Sequence, residues 1–212
     1  MIHDQLLNPD YSYTGYTATV IEQKGNILTL DKPLPTDVKD NSLLMNRTHH
    51  TKNWILRNNY LHDYYGRVML YTDYGTVTDN RIHNSYYHLG NSTAYFETAG
   101  ASRNVITHRN LFDGTYADSS NWGGNQSIVS FHDITYSGNS FMGKGLNLNN
   151  AQNSLVVGNW FSGKDSAISV KSCVDTKVQG NLDFQSESGG FDLKEKDNKN
   201  VTVEGNTYLG QP

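Results

Sequence analysis

Val156-Val157-Gly158-Asn159-Trp160-Phe161 is followed by Val178-Gln179-Gly180-Asn181-Leu182-Asp183 and then by Val203-Glu204-Gly205-Asn206-Thr207-Tyr208. Each copy has an aliphatic residue, two small or polar residues, an asparagine, any residue, and then as a rule an apolar one. Four earlier copies centre on Asn59, Asn80, Asn110 and Asn139, so the seven asparagines lie 21, 30, 29, 20, 22 and 25 residues apart. A period in the low twenties with β-branched flanks indicates a solenoid whose unit is one coil. The sequence therefore reads as an all-β, right-handed parallel β-helix of about seven to eight coils; the hand follows from the general preference for right-handed crossovers.

Each coil divides into strands. One precedes the asparagine and a second begins two residues after it. A further strand per coil is expected at Leu43–Met45, Val68–Leu70, Ala94–Phe96, Val129–Phe131, Leu146–Leu148, Ile168–Val170 and Phe191–Leu193. Apolar residues two apart in these runs point inward, leaving the alternate positions outward. The asparagines suit tight bends, because asparagine tolerates left-handed backbone and bonds to its counterpart on the next coil. Glycine precedes them at Gly138, Gly158, Gly180 and Gly205. Asp63, Asp79 and Asp183 are expected in bends, capping local backbone groups.

Residues 1–40 lack the repeat. Thr17–Glu22 and Asn26–Asp31 flank Gln23-Lys24-Gly25 as a hairpin, and Lys32-Pro33-Leu34-Pro35 breaks it. This part reads as a β capping segment over the first coil, with the coils themselves in 41–212, since a bare solenoid end is a raw sheet edge.

With 212 residues, the chain suits one domain. A formal charge of −4 argues against nucleic acid or an anionic membrane as partner. No window is apolar enough to span a bilayer, and no signal peptide is evident, so the chain reads as an excised or intracellularly expressed piece. The single cysteine, Cys173, is expected as a small buried hydrophobe. It builds neither a disulfide framework nor a zinc site alone, and no cofactor or metal is expected.

Two coils are long. Insertions placed before Thr93 and before Ser127 are expected to flank the outer face of the following strand, as Asp63-Tyr64-Tyr65-Gly66 does one coil earlier. The outward ladders are then expected to run Met69, Tyr95, Ser130, Asn147, Ser169, Asp192 and Tyr71, Glu97, His132, Asn149, Lys171, Lys194. With Tyr65, Tyr86, Tyr87, Tyr116 and Trp122 on adjoining loops, this makes a groove of aromatic faces, amides and a few charges. Aromatic faces stack on pyranose C–H faces while amides and carboxylates take hydroxyls. Lys171 with Lys194, Glu195 and Lys196 reads as a solvated charged face.

Glu97 and Asp73 on neighbouring coils fall within the separation used by retaining glycosidases, with His132 placed to share a proton. Acids too dispersed for calcium ligation argue against a uronate lyase.

The asparagine units, with Gly66-Arg67-Val68-Met69-Leu70 and Thr29-Leu30-Asp31-Lys32-Pro33-Leu34-Pro35, resemble the right-handed β-helix superfamily of carbohydrate-active proteins. The order of that opening, the coils and Glu97 is similar to β-helix glycosidases of the α-1,3-galactosidase type, which are longer and carry further domains. Size and the aromatic groove also resemble β-helix carbohydrate-binding modules attached to plant-polysaccharide hydrolases such as xylanases. The expectation is a secreted, non-catalytic module recognising a neutral plant cell-wall polysaccharide, xylan first, within a protein that carries a catalytic domain. Its binding residues would be Tyr65, Tyr71, Tyr86, Tyr87, Tyr95, Glu97, Tyr116, Trp122, His132 and Asn149. Two alternatives stand beside it: a glycoside hydrolase or polysaccharide lyase working through Glu97, Asp73 and His132, and a structural or host-recognition solenoid.

Overall fold

The structure, a computed structural model, describes the backbone of residues 3–7, 13–34, 36, 43–46, 52–62, 67–70, 73–89, 91–92, 103–119, 121–122, 131–184, 191–193 and 197–209. Side chains are described for 18–34, 36, 52–62, 74–87, 104–117, 132–184 and 197–209.

The repeat closes into a parallel β-helix. The strands before the asparagines stack in parallel as sheet I: Ile55–Arg57, Asp73–Thr78, Arg103–His108, Phe131–Ser137, Leu155–Val157, Lys177–Gln179 and Thr202–Glu204. The strands after them stack as sheet II, from Tyr60–His62 through Arg81–His83 and Leu111–Asp113 to Thr207–Leu209. Sheet III comprises Arg67–Leu70, Tyr86–Leu89, Tyr116–Ser119 and Phe191–Leu193, with the second halves of Ser140–Asn149 and Trp160–Lys171. Those two long strands run from sheet II into sheet III, bending at Gly143 (φ 81°) and Gly163 (φ 106°).

Every coil turns at left-handed residues stacked on one another. One series comprises Asn53, Tyr74, Asn104, Asp133, Asn153, Asp175 and Asn200, before or early in the sheet I strand; the other comprises Asn58, Asp79, Arg109, Gly138, Gly158, Gly180 and Gly205. The second series lies one residue before the repeated asparagine, which corrects the expectation that the asparagine itself is left-handed. Glycine at positions such as Gly138 (φ 59°) adopts this geometry without the Cβ penalty.

The repeated asparagine is instead an internal brace. Asn139 is 1% exposed. Its Nδ2 donates to the Thr107 carbonyl and to Asn159 Oδ1, both at 2.9 Å. Its Oδ1 accepts from the Asn110 backbone N–H at 2.9 Å and from Asn110 Nδ2 at 3.0 Å. The same side chain-to-side chain link joins Asn59 to Asn80, Asn80 to Asn110, Asn159 to Asn181 and Asn181 to Asn206. A buried polar ladder is stable only when its members are satisfied in this way.

The position two residues after each asparagine forms the column Leu61, Ile82, Phe112, Phe141, Phe161, Asp183 and Tyr208, which faces inward except at the last, where Tyr208 is 44% exposed. Phe112, Phe141 and Phe161 stack with centroids 4.8 and 4.6 Å apart. Asp183 occupies this column at 0% exposure, so it is not the bend residue expected. Cys173 is buried, as the sequence suggests, and burial pushes its thiol up to about 11.

Residues of the N-terminal part form a separate antiparallel sheet in the order Ile27–Leu30, Tyr13–Lys24, His3–Leu7, Leu43–Asn46. The expected hairpin is present, with Gly25 left-handed at its turn (φ 58°). Leu43–Met45, expected as the first coil's strand, instead pairs antiparallel with His3–Leu7. Its apolar alternation suits either partner.

One bend carries a pH-sensitive ion pair. Hydrogen bonds from Arg109 Nε and Nη2, each 2.8 Å, hold the Asp79 carboxyl down at about 2. A depressed carboxylate stabilises the fold above its ordinary range near 4, and the contribution disappears as pH falls towards 2. Both groups are solvent-accessible, so the effect is small. Thermal unfolding scans between pH 5 and pH 2 should show a shallower acid decline in Arg109→Ala than in the parent; identical profiles would remove the pair from the acid response.

Candidate functional site

One row of backbone positions on sheet III is set by strand register. Met69, His88, Asp118, Asn147, Ser169 and Asp192 align on successive coils. Asn149 aligns with Lys171. This differs from the expected row in two coils: Tyr86–Leu89 and Tyr116–Ser119 take the places assigned to Ala94–Phe96 and Val129–Phe131. The cause is a short corner between sheets II and III. After Asp113, left-handed Gly114 (φ 61°) and buried Thr115 complete the turn. The Thr115 hydroxyl donates to the Ile82 carbonyl at 2.8 Å. Asn84 (φ 46°) and Ser85 do the same one coil earlier, where the Ser85 N–H donates to Thr115 Oγ1 at 3.3 Å. The extra residues of both long coils therefore follow sheet III. Asn91-Ser92 and Asn121-Trp122 pair in parallel as a two-stranded sheet.

Tyr86 and Tyr116 are brought together. They are backbone partners on adjacent coils, and their rings stack at 5.7 Å with planes 24° apart. Tyr116 is 38% exposed and Tyr86 half-buried. Both sit at the start of sheet III strands, immediately beside the row of His88 and Asp118.

Tyr87 is corrected: it is a core residue, not a groove residue. Strand alternation turns it inward, where it is 0% exposed and tilted against Phe112. Its hydroxyl shares a 2.9 Å hydrogen bond with Thr107 across the core, and burial raises its pKa well above the usual phenol range.

His132 is displaced from the row in which it was expected. It pairs with Arg103 and Gln152, not with Asn149's neighbours, and so belongs to the start of sheet I. Its Nδ1 lies 2.6 Å from Asp133 Oδ2, and the Asn153 amide donates to the other Asp133 oxygen. Asp73 occupies the same backbone position two coils earlier through Arg103, roughly 10 Å away at about 4.8 Å per coil. Asn149 is half-buried on the expected strand, and its Oδ1 has no hydrogen-bond partner among the described residues. Trp122 pairs through its backbone with Ser92. Tyr65, Tyr71, Tyr95 and Glu97 lie outside the described residues, as do Asp63 and Lys194–Lys196.

Sequence reasoning missed His88 and Asp118 as members of the row. The usable signal was the left-handed corner, which falls four residues after the asparagine at Asn84, Gly114, Gly143 and Gly163. Among the described residues no group of three or more His, Cys, Asp or Glu side chains is placed to hold a metal ion. The arrangement offers hydrogen-bonding groups beside two stacked rings. No known protein-family model matches the chain, and no curated protein matches it detectably in sequence.

Proposed function

We propose that this β-helix is a non-catalytic module that binds a neutral polysaccharide along sheet III. The observation that carries the reading is the Tyr86–Tyr116 stack, part-exposed and in register beside a row that includes Asn147 and Ser169. Flat aromatic area beside amide and hydroxyl groups matches the alternating apolar and hydroxylated faces of a pyranose chain. The near-balanced composition, 17 basic and 21 acidic residues, favours a neutral chain over a polyanion. A plant cell-wall polysaccharide, with xylan the first candidate, is the ligand class proposed, and the module would act within a secreted, polysaccharide-degrading protein.

Affinity electrophoresis over xylan, glucan, mannan, galactan and pectin, paired with a reducing-sugar assay, tests this. Retardation by a neutral polymer without product is expected. Tyr116→Ala should weaken retention about tenfold, corresponding to loss of roughly 1.4 kcal/mol of stacking. Release of reducing ends that Glu97→Gln abolishes would replace the module with the glycoside-hydrolase reading. Retention unchanged in Tyr116→Ala would remove the tyrosine platform.

A further inference from the structure

The residue directly after each repeated asparagine faces outward on sheet II, and in three consecutive coils it is Leu111, Ser140 and Trp160. A small side chain between two large ones on a ladder leaves a notch. The structure contains that notch as an open depression of about 120 Å³, walled by Leu111, Met142 and Trp160, with Ser140, Ser162 and Phe141 completing its lining. That is smaller than the roughly 300–1,000 Å³ of a drug-sized ligand pocket, and suits one face of a single ring rather than an enclosed ligand.

Trp160 is 52% exposed and braced by Phe184, whose ring centroid is 5.5 Å away at a 54° tilt. A large indole held at half exposure presents a fixed flat surface at little cost in lost side-chain freedom. The Ser140 and Ser162 hydroxyls make no hydrogen bond to another described residue, so each keeps a donor and acceptor for a ligand. Among the described residues no titratable side chain lines the depression. Asp113, on the strand of Leu111 and beside Met142, is already engaged by Arg81 at 3.1 Å and His83 at 2.9 Å. An uncharged ligand with one apolar face and hydroxyls at its rim fits these features; a charged ligand finds no counter-ion there.

We infer that sheet II carries a second saccharide subsite, in which one neutral sugar ring lies against Trp160 with its hydroxyls on Ser140 and Ser162. The inference takes its ligand class from the glycan reading of sheet III but rests on a different face and different residues. Since Ser140–Asn149 and Trp160–Lys171 run through both sheets, the subsite and the Asn147 and Ser169 part of the sheet III row flank the same bend at Gly143 and Gly163.

Calorimetric titration with xylo-, cello- and manno-hexaose, alongside intrinsic tryptophan fluorescence, tests the subsite on the full chain. Two binding events are expected, one of which shields a tryptophan from iodide quenching. Trp160→Ala and Ser140→Leu, which fills the notch while keeping the indole, should each remove that event and leave the other; Tyr116→Ala should do the converse. Trp160 and Ser140 are surface positions, and an unchanged circular dichroism spectrum confirms folding in each variant. A single event, lost in Tyr116→Ala and indifferent to Trp160→Ala, would overturn the subsite while leaving the sheet III reading intact. A single event lost only in Trp160→Ala would support the subsite and overturn sheet III. No binding to any of the three sugars would overturn both.

Discussion

Replacing Phe141 with alanine should lower the unfolding free energy by about 3–5 kcal/mol. Phe141 is 0% exposed and lies between Phe112 and Phe161, nearly parallel to both at 8° and 4°. Its loss removes transfer free energy, dispersion contacts on both ring faces and two aromatic pairings at once. The cavity has little means of closing. Asn139 and Asn159 hold the coils at hydrogen-bond spacing immediately beside the ring, so neighbouring coils cannot approach to fill the space. Urea denaturation followed by far-ultraviolet circular dichroism measures the effect as a shift in midpoint. Phe141→Leu, which keeps the volume partly filled, should cost less than half as much. A loss below about 1 kcal/mol would mean that the column is not the continuous core described.

The second large effect is expected at Asn139→Ala, about 3 kcal/mol. The substitution strands the buried Asn110 N–H, whose acceptor is Asn139 Oδ1, and an orphaned buried donor costs roughly 1–3 kcal/mol by itself. It also removes the amide donated to Thr107 and Asn159. Gln23→Ala on the exposed hairpin serves as the contrast and should change stability by less than about 0.5 kcal/mol. Asn110→Ala combined with Asn139→Ala should cost clearly less than the sum of the two, because both remove the same inter-coil bond. Strict additivity would show that the ladder does not act as a connected brace.

Asn159 and its counterparts made the coil legible in sequence, because a side chain that bonds to its own image must recur wherever the chain closes a turn. The inward column was legible for the same reason: the residue two places after each asparagine must reach the core. Sheet III was legible only where no insertion intervened, at Arg67–Leu70, Leu146–Leu148, Ile168–Val170 and Phe191–Leu193. In the two long coils, Tyr86–Leu89 and Ala94–Phe96, or Tyr116–Ser119 and Val129–Phe131, offer similar alternation, and hydrophobic period cannot choose between them. The corner decides. Asn84 and Gly114, left-handed at a fixed offset from the asparagine, start sheet III at once, so the surplus residues follow it in the chain.

That shift has consequences for the site. It moves Tyr86 and Tyr116 from loops onto adjacent strands and turns Tyr87 into the core. It also puts His132 at the start of sheet I, paired with Arg103 and Gln152. Trp160 drew no attention in sequence because it occupies the freely variable position of the repeat. That position points outward on every coil, so its variability reflects solvent exposure rather than lack of consequence.

The claim on which the functional account depends is that Tyr86 and Tyr116 together form a sugar-stacking platform. Titration calorimetry of the Tyr86→Ala/Tyr116→Ala double variant against the neutral polysaccharide retained by the parent chain addresses it most directly. The account predicts a folded protein whose sheet III affinity falls by about thirtyfold, near 2 kcal/mol for two lost stacking surfaces. Undiminished affinity in the folded double variant would contradict it.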